Sequence, residues 1–288
     1  MTTLTILPLL LALAGTASAQ QAPAPVAVPT APDADIVVQH RTDAAIARMV
    51  DAMTQTRHGF QVARWNEAIC PLVLDLDPLH TALIDERIVA VAKSVDVPVA
   101  TKPCAPSVVI VATADADALA KALVDQHPGL FGDPAYGIRH GNTITDLKAS
   151  RPVRWINATR TGGADSRRIG AGNALNTYNG GSRIAHTTRE NTVLSLVIVD
   201  TARLSHITWG QLADYLSLVT LANPALSVAA PDSVMSIFAT RDAGGRGPAG
   251  LTPADTALLQ GLYRSDSSLG SGMQRAQIAD QIKKARKP

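Results

Sequence analysis

Two runs of apolar, largely β-branched residues, SVVIVA at 107–112 and VLSLVIV at 193–199, are each followed by a helical pattern. A continuous apolar run of strand length is the signature of a strand covered on both faces, as at the centre of a sheet, and the helix after it supplies a cover. The first run is followed at once by a helix over 115–126. The second is followed, after a short connection, by a helix over 209–221. Thr208 and Gln211 have the spacing of a capping box at the start of that second helix, Ile207 and Leu212 that of a hydrophobic staple, and Asn223-Pro224 ends it. Two strand-then-helix units predict an α/β or α+β fold in which buried strands are each followed by a packed helix, with two lobes possible.

The remaining elements fit around these units. Residues 41–54 place Ile46, Met49, Val50 and Met53 at helical spacing. Asp77-Pro78 opens another helix, with Asp as N-cap and Pro at the first helical position, running to residue 94 with Leu79, Leu83, Ile84, Ile88 and Val91 inward. Residues 153–157 read as a strand, Thr252-Pro253 starts a helix to about residue 263, and a last amphipathic helix covers 273–285. The Gly- and Asn-rich segment 162–181 reads as a long loop or an irregular hairpin. A boundary near residue 150 would separate an N-terminal lobe, 36–150, from a C-terminal lobe, 151–288.

The amino-terminal residues address the chain to export. Residues 4–14 have the length of a signal-peptide apolar region, and Ala17-Ser18-Ala19 supply small residues for cleavage before Gln20, so residues 1–19 are expected to be removed. Residues 20–35, rich in Ala and Pro, read as a linker. The two cysteines, Cys70 and Cys104, lack the C-x-x-C spacing of a redox pair and are too few for a zinc site, so in an exported chain they are expected to form a disulfide. No second run of eighteen apolar residues follows, and the mature chain is expected to have no transmembrane segment. Lys and Arg number 26 against 24 Asp and Glu, and the small excess sits in the tail at Lys283, Lys284, Arg286 and Lys287, which argues against nucleic acid as a partner. The address expected is periplasmic or secreted.

Local signatures of chemistry are missing. The histidines, at 40, 58, 80, 127, 140, 186 and 206, include no H-x-x-x-H or H-E-x-x-H pair, and no G-x-S-x-G, S-x-x-K or Walker pattern occurs. No metal or cofactor is therefore expected. The nearest approach to a catalytic constellation is Ser205-His206 with Asp214, for which the expectation is His206 in a connecting loop and Asp214 on the wet face of its helix. Gly170-Ala171-Gly172 lacks the strand and helix that give phosphate-binding glycines their meaning. Asn157-Ala158-Thr159 fits a glycosylation acceptor, which is idle behind a bacterial-type signal, and Arg167, Arg168, Arg183 and Arg189 give the central loop a basic bias.

Residues 64–71, Asp77-Pro78 and the Cys104 segment resemble the N-terminal half of uncharacterised exported proteins of alphaproteobacteria, especially sphingomonads. Ser236-Ile237-Phe238, Leu251-Thr252-Pro253-Ala254-Asp255, Leu258-Leu259, Leu262-Tyr263 and Gly272-Met273 are similar to the end of a secreted, zincin-like family of unknown function. A working zincin would carry His and Glu on the helix that here reads GQLADYLSLV at 210–219. The resemblance therefore implies a fold without its metal site. The function expected is a non-catalytic binding or envelope-associated module, with an envelope protein or a small ligand as partner. The alternative is a periplasmic hydrolase whose non-local site lies near His206 and Asp214.

Overall fold

In the computed structural model, which describes residues 42–54, 56, 60–128, 142–163, 186–228 and 230–285, four strands form one mixed sheet. The strands are β1 (Pro71–Leu74), β2 (Val108–Thr113), β3 (Val153–Gly163) and β4 (Thr188–Asp200), in the order β1-β2-β4-β3. β1, β2 and β4 run parallel, with Val108 beside both Pro71 and Ser195, whereas β3 pairs antiparallel with β4. The α/β expectation holds, and the apolar run at 193–199 is the interior half of a longer strand. Ala158 faces Leu194 and Thr159 faces Thr192, so Val193 is an extra residue that forms a bulge.

Helices cover both faces. On one lie α1 (Asp43–Met53), α2 (Pro78–Ser94), α5 (Trp209–Leu221), α7 (Pro253–Arg264) and α8 (Ser271–Ala285), which share one core with Val108, Ile110, Trp155, Val197 and Val199. On the other, α3 (Ala116–Gln126) and α4 (Asn142–Lys148) pack on Ile156, Ala158 and Ile198. A short α6 (Ile237–Asp242) follows a 3-10 turn, Val234–Ser236. The second cover is thin. Val109 and Val111 are only half-buried beneath it, so β2 is fully buried on one face and not on both as its composition predicts.

The core helix is α5, and its burial is complete: every residue from Leu212 to Leu221 is buried. Such a helix cannot leave its last carbonyls to solvent. The N–H of Ala222 serves Leu218 at 2.9 Å in the helical manner. Three distant side chains serve the others: Asn157 Nδ2 donates to the Val219 carbonyl (3.1 Å), Trp65 Nε1 to that of Thr220 (2.7 Å) and the Tyr263 hydroxyl to that of Leu221 (2.7 Å). Just beyond the helix, Trp155 Nε1 donates to the Pro224 carbonyl (3.0 Å). Within it, Ser217 and Thr220 turn their hydroxyls onto the carbonyls of Ala213 and Leu216, both at 2.8 Å. Asn157 is therefore buried in β3 and is no glycosylation acceptor.

Other ends are closed similarly. The Arg64 guanidinium donates to the carbonyls of Leu262 (3.0 Å) and Ser265 (2.7 Å) at the end of α7, where a cation also suits the helix dipole. Burial pushes its pKa below the ordinary arginine value. A Cβ on Gly261 would lie 2.9 Å from the Ile278 Cα, so α7 and α8 approach as closely as they do only because that position is Gly. Cys70 and Cys104 form the expected disulfide, with Cα atoms 6.2 Å apart and a sequence separation of 34, a cross-link worth about 3–4 kcal/mol by unfolded-chain entropy.

Three further expectations change. The boundary near residue 150 does not divide the sheet, because β2 and β4 pair across it. Leu79 is 72 % exposed, not inward, because the first turn of α2 stands beyond the sheet; Ile84, Ile88, Val91 and Ala92 make the buried face. Gly162 and Gly163 belong to β3 and not to a loop. The expected signal peptide and linker, 1–35, together with Gly170, Gly172, Arg167, Arg168 and Arg183, lie outside the described residues.

Removing the Tyr263 hydroxyl should strand the buried Leu221 carbonyl. Tyr263→Phe is expected to cost about 1–3 kcal/mol in urea unfolding, beside about 2–5 kcal/mol for Leu216→Ala, which opens a cavity in the same helix.

Candidate functional site

The three parallel strands end at one edge of the sheet, and each hands the chain to a capped helix or turn. After β1, Asp77 Oδ1 accepts from the N–H groups of Leu79 (3.1 Å) and His80 (3.2 Å) and starts α2. After β2, Asp115 accepts from Ala118 (3.1 Å) and starts α3. After β4, Asp200 accepts from Ala202 (3.1 Å) in the 3-10 turn Thr201–Arg203, and Thr208 with Gln211 forms the expected capping box at the start of α5. Because α2 and α5 lie on one face and α3 on the other, the loops diverge around the end of β2. In open α/β sheets the crevice outside the carboxyl ends at such a divergence is where ligands bind. Two of the loops hold a residue with left-handed backbone that is not glycine, Asp75 (φ 62°) and His206 (φ 61°).

The loops after β1 and β4 meet through aromatic side chains. The His80 ring stacks on Trp209 with centroids 3.9 Å apart and planes inclined by 28°. His80 Nδ1 is hydrogen-bonded to Asp77 Oδ2, so one carboxylate caps α2 with one oxygen and orients the imidazole with the other. The bond from His80, with the backbone N–H groups, holds the Asp77 carboxyl below the usual carboxylate range. Among the described residues Nε2 of His80 has no protein partner. The pairing of a carboxylate with one ring nitrogen of an outward-facing imidazole fixes the tautomer and presents the other nitrogen to a ligand.

On the opposite face the same edge is held by charge. Arg154 of β3 is fully buried; it pairs with Asp117 and donates through Nε to the Ala149 carbonyl (3.0 Å). Asp117 also accepts from Ser150 (2.6 Å) and lies 3.5 Å from Arg203, which in turn pairs with Asp200 at 3.1 Å. The Ser150 bond, followed by Arg154, keeps the Asp117 carboxyl below its ordinary value. These groups tie β3, β4 and α3 together.

His206 and Asp214 are not brought into a common site. His206 is exposed in the loop before α5, as expected, where Arg241 pins the turn by donating to the carbonyls of Arg203 (2.6 Å) and Ser205 (3.3 Å). Asp214 is not on a wet face. Its side chain is 10 % exposed, it pairs with Arg87 of α2, and its Oδ2 accepts the Leu251 N–H at 3.0 Å. Gln211, one turn earlier, donates to the Pro248 carbonyl at 2.7 Å. The polar stripe of α5 thus faces the segment 248–251, so close that a Cβ on Gly250 would sit 2.2 Å from Asp214 Oδ2. Where a zincin would carry metal ligands, the polar side chains of this helix hold its neighbours. Among the described residues no group of three or more His, Cys, Asp or Glu side chains could hold a metal ion, and no helix is long and apolar enough to cross a membrane.

A second buried carboxyl, Asp255, forms the capping box of α7 with Thr252, accepting its N–H and hydroxyl (both 2.9 Å) and also the Val234 N–H (2.8 Å). Its other oxygen has no hydrogen-bond partner among the described residues, and burial pushes its pKa up. Comparison with family models, curated proteins and solved structures finds no match for the chain.

The residue that sequence reasoning passed over is His80. The signal was its position three after the N-cap Asp77, where a side chain folds back onto the cap as in a capping box. Its contact with Trp209 joins residues far apart in the chain and leaves no mark in the spacing.

Two measurements check the buried carboxyls. Asp214→Ala, which leaves the Leu251 N–H without an acceptor, is expected to cost about 1–3 kcal/mol, and Arg87→Ala is expected to be destabilising as well, because it leaves the buried Asp214 carboxylate without its cation. For Asp255 the folded protein holds a proton more firmly than the unfolded chain does. Relative to Asp255→Asn, the wild type should lose stability as pH rises from the ordinary carboxylate value through the raised one. A difference that grows in the other direction would contradict the burial.

Proposed function

We propose that this protein is a non-catalytic exported binding module, at work in the periplasm or outside the cell, whose ligand docks at the carboxyl edge of the sheet where His80 and Trp209 meet. The partner is an envelope protein or a small molecule. The observation that carries this reading is the Asp77–His80–Trp209 group, in which loops from two parallel strands combine an oriented imidazole with an aromatic surface. The disulfide and the apolar leader agree with export. The resemblance to zincin-like secreted proteins then concerns a scaffold, and α5 serves it as a packing element.

A hydrolase remains the second reading on one specific ground. A carboxylate-oriented imidazole with an outward nitrogen is also how a general base is held. Such an enzyme would use Asp77 and His80, since Asp214 is engaged by Arg87 and Leu251.

Protein purified from its native host is expected to release a bound small molecule on heat denaturation, detectable by mass spectrometry. Adding that molecule back should raise the melting temperature with concentration, and the rise should shrink in His80→Ala and Trp209→Ala. Turnover of chromogenic esters by the wild type that disappears in His80→Ala would favour the hydrolase, and stoichiometric zinc in the purified protein would overturn the non-catalytic reading.

A further inference from the structure

We propose that His80 is a proton-operated clamp between the first turns of α2 and α5, tightened when its imidazole is charged. The ring is held on two sides at once: Nδ1 by the carboxylate of Asp77, one face by the indole of Trp209 at 3.9 Å between centroids. Its side chain is 25 % exposed, so protons reach it without unfolding. Uncharged, the ring offers Asp77 a hydrogen bond and Trp209 a stack of two neutral rings. Charged, the same geometry becomes an ion pair with a charge-assisted hydrogen bond on one side and a cation on an aromatic face on the other. Both interactions gain from the proton and neither requires the ring to move.

The consequence reaches the carboxyl edge of the sheet because of where the partners sit. Asp77 is the N-cap of α2 and Trp209 the first residue of α5. A charged ring therefore holds the loops that leave β1 and β4 more firmly in the arrangement seen here. Of the elements packed most closely on α2, β1 carries no titratable side chain, and α5 carries Asp214, already paired with Arg87, and Tyr215, buried. Nearby loops contribute Asp75 and His206, and α2 itself carries Asp85, paired with Lys102, along with Glu86 and Lys93. Of these described side chains only Asp77 is bonded to the ring. The clamp goes beyond the binding function, since it works with or without a ligand at that edge.

Tryptophan emission reads it directly, because a charged imidazole stacked on an indole quenches it more than a neutral one. The wild type minus a Trp209→Phe variant isolates the Trp209 signal from Trp65 and Trp155. As the pH is lowered through the range in which imidazoles take up a proton, that signal should fall in a single-proton step. The step should vanish in His80→Gln, persist in His206→Gln, and lose amplitude in Asp77→Asn, which keeps a good helix cap but removes the charge that seats the ring. Far-UV circular dichroism of each variant checks that the helices are retained. No step in the wild type, a step of full size in His80→Gln, or its loss in His206→Gln would each overturn the clamp, and an undiminished step in Asp77→Asn would remove the ion pair from it.

Discussion

A helix buried on every side must find partners for its polar ends inside the protein, and that requirement organises this structure around α5. Each buried carbonyl left without a donor costs about 1–3 kcal/mol. Three such groups at the end of α5 would cancel much of a typical domain stability of about 5–15 kcal/mol. The donors are Asn157 from the edge strand, Trp65 from the segment before β1, and Tyr263 from the end of α7. The same segment before β1 supplies Arg64 to the end of α7, so the two helices are terminated by neighbouring residues. Sheet, helices and irregular chain thus meet at one point for a reason that hydrophobic burial alone does not provide. Apolar contact is non-directional, whereas these bonds fix which atom lies where.

The buried charges divide into two kinds. In the pair of Arg154 with Asp117 the cation is fully buried and the acid 46 % exposed, while in the pair of Asp214 with Arg87 the acid is 10 % exposed and the cation 44 %. In each case one member keeps much of its hydration, which lowers the desolvation cost that makes fully buried pairs poor stabilisers. The buried member is the one with additional backbone bonds: Arg154 to the Ala149 carbonyl, Asp214 to the Leu251 N–H. The pairs act as anchors of position. One joins β3 to α3 across the thinner layer, the other joins α2 to α5 and to the segment before α7. Asp255 differs, because among the described residues it has no cation beside it and one of its oxygens is unserved, and there desolvation wins over the hydrogen bonds it accepts.

Local chemistry was legible in the sequence, and through-space chemistry was not. The caps at Asp77, Thr208 and Thr252 depend on residues within four positions of one another, and all are present. The disulfide followed from a count of two. The polar stripe of α5 shows where such reasoning ends. Gln211, Asp214, Ser217 and Thr220 recur every third residue, a spacing that fits a solvated face equally well as one buried against a polar neighbour. Only the arrival of residues 248–251 decides between them. β1 was missed because four residues, PLVL, carry too little pattern, and Leu79 was misplaced because periodicity says which face a residue is on but not how far the neighbouring elements extend. His80 was missed for the same reason as Asp214: its partner Trp209 comes from another element.

The two ends of α5 are held by interactions of different kind, and this separates the part of the molecule that supports from the part that can respond. The carboxyl end is closed by directional bonds to groups in the core, and the residues around it are buried. The amino end carries the capping box of exposed Thr208 and half-buried Gln211 and the stack of Trp209 on His80, with His206 and Ser205 exposed beside it. Local opening follows the density of buried contacts, so it starts at the second end and not the first. The contacts of His80 with Asp77 and Trp209 lie outside the buried stretch Leu212–Leu221 of α5. A change at that edge of the sheet therefore leaves the bonds to the carbonyls of Val219, Thr220 and Leu221 in place, and the core does not depend on it.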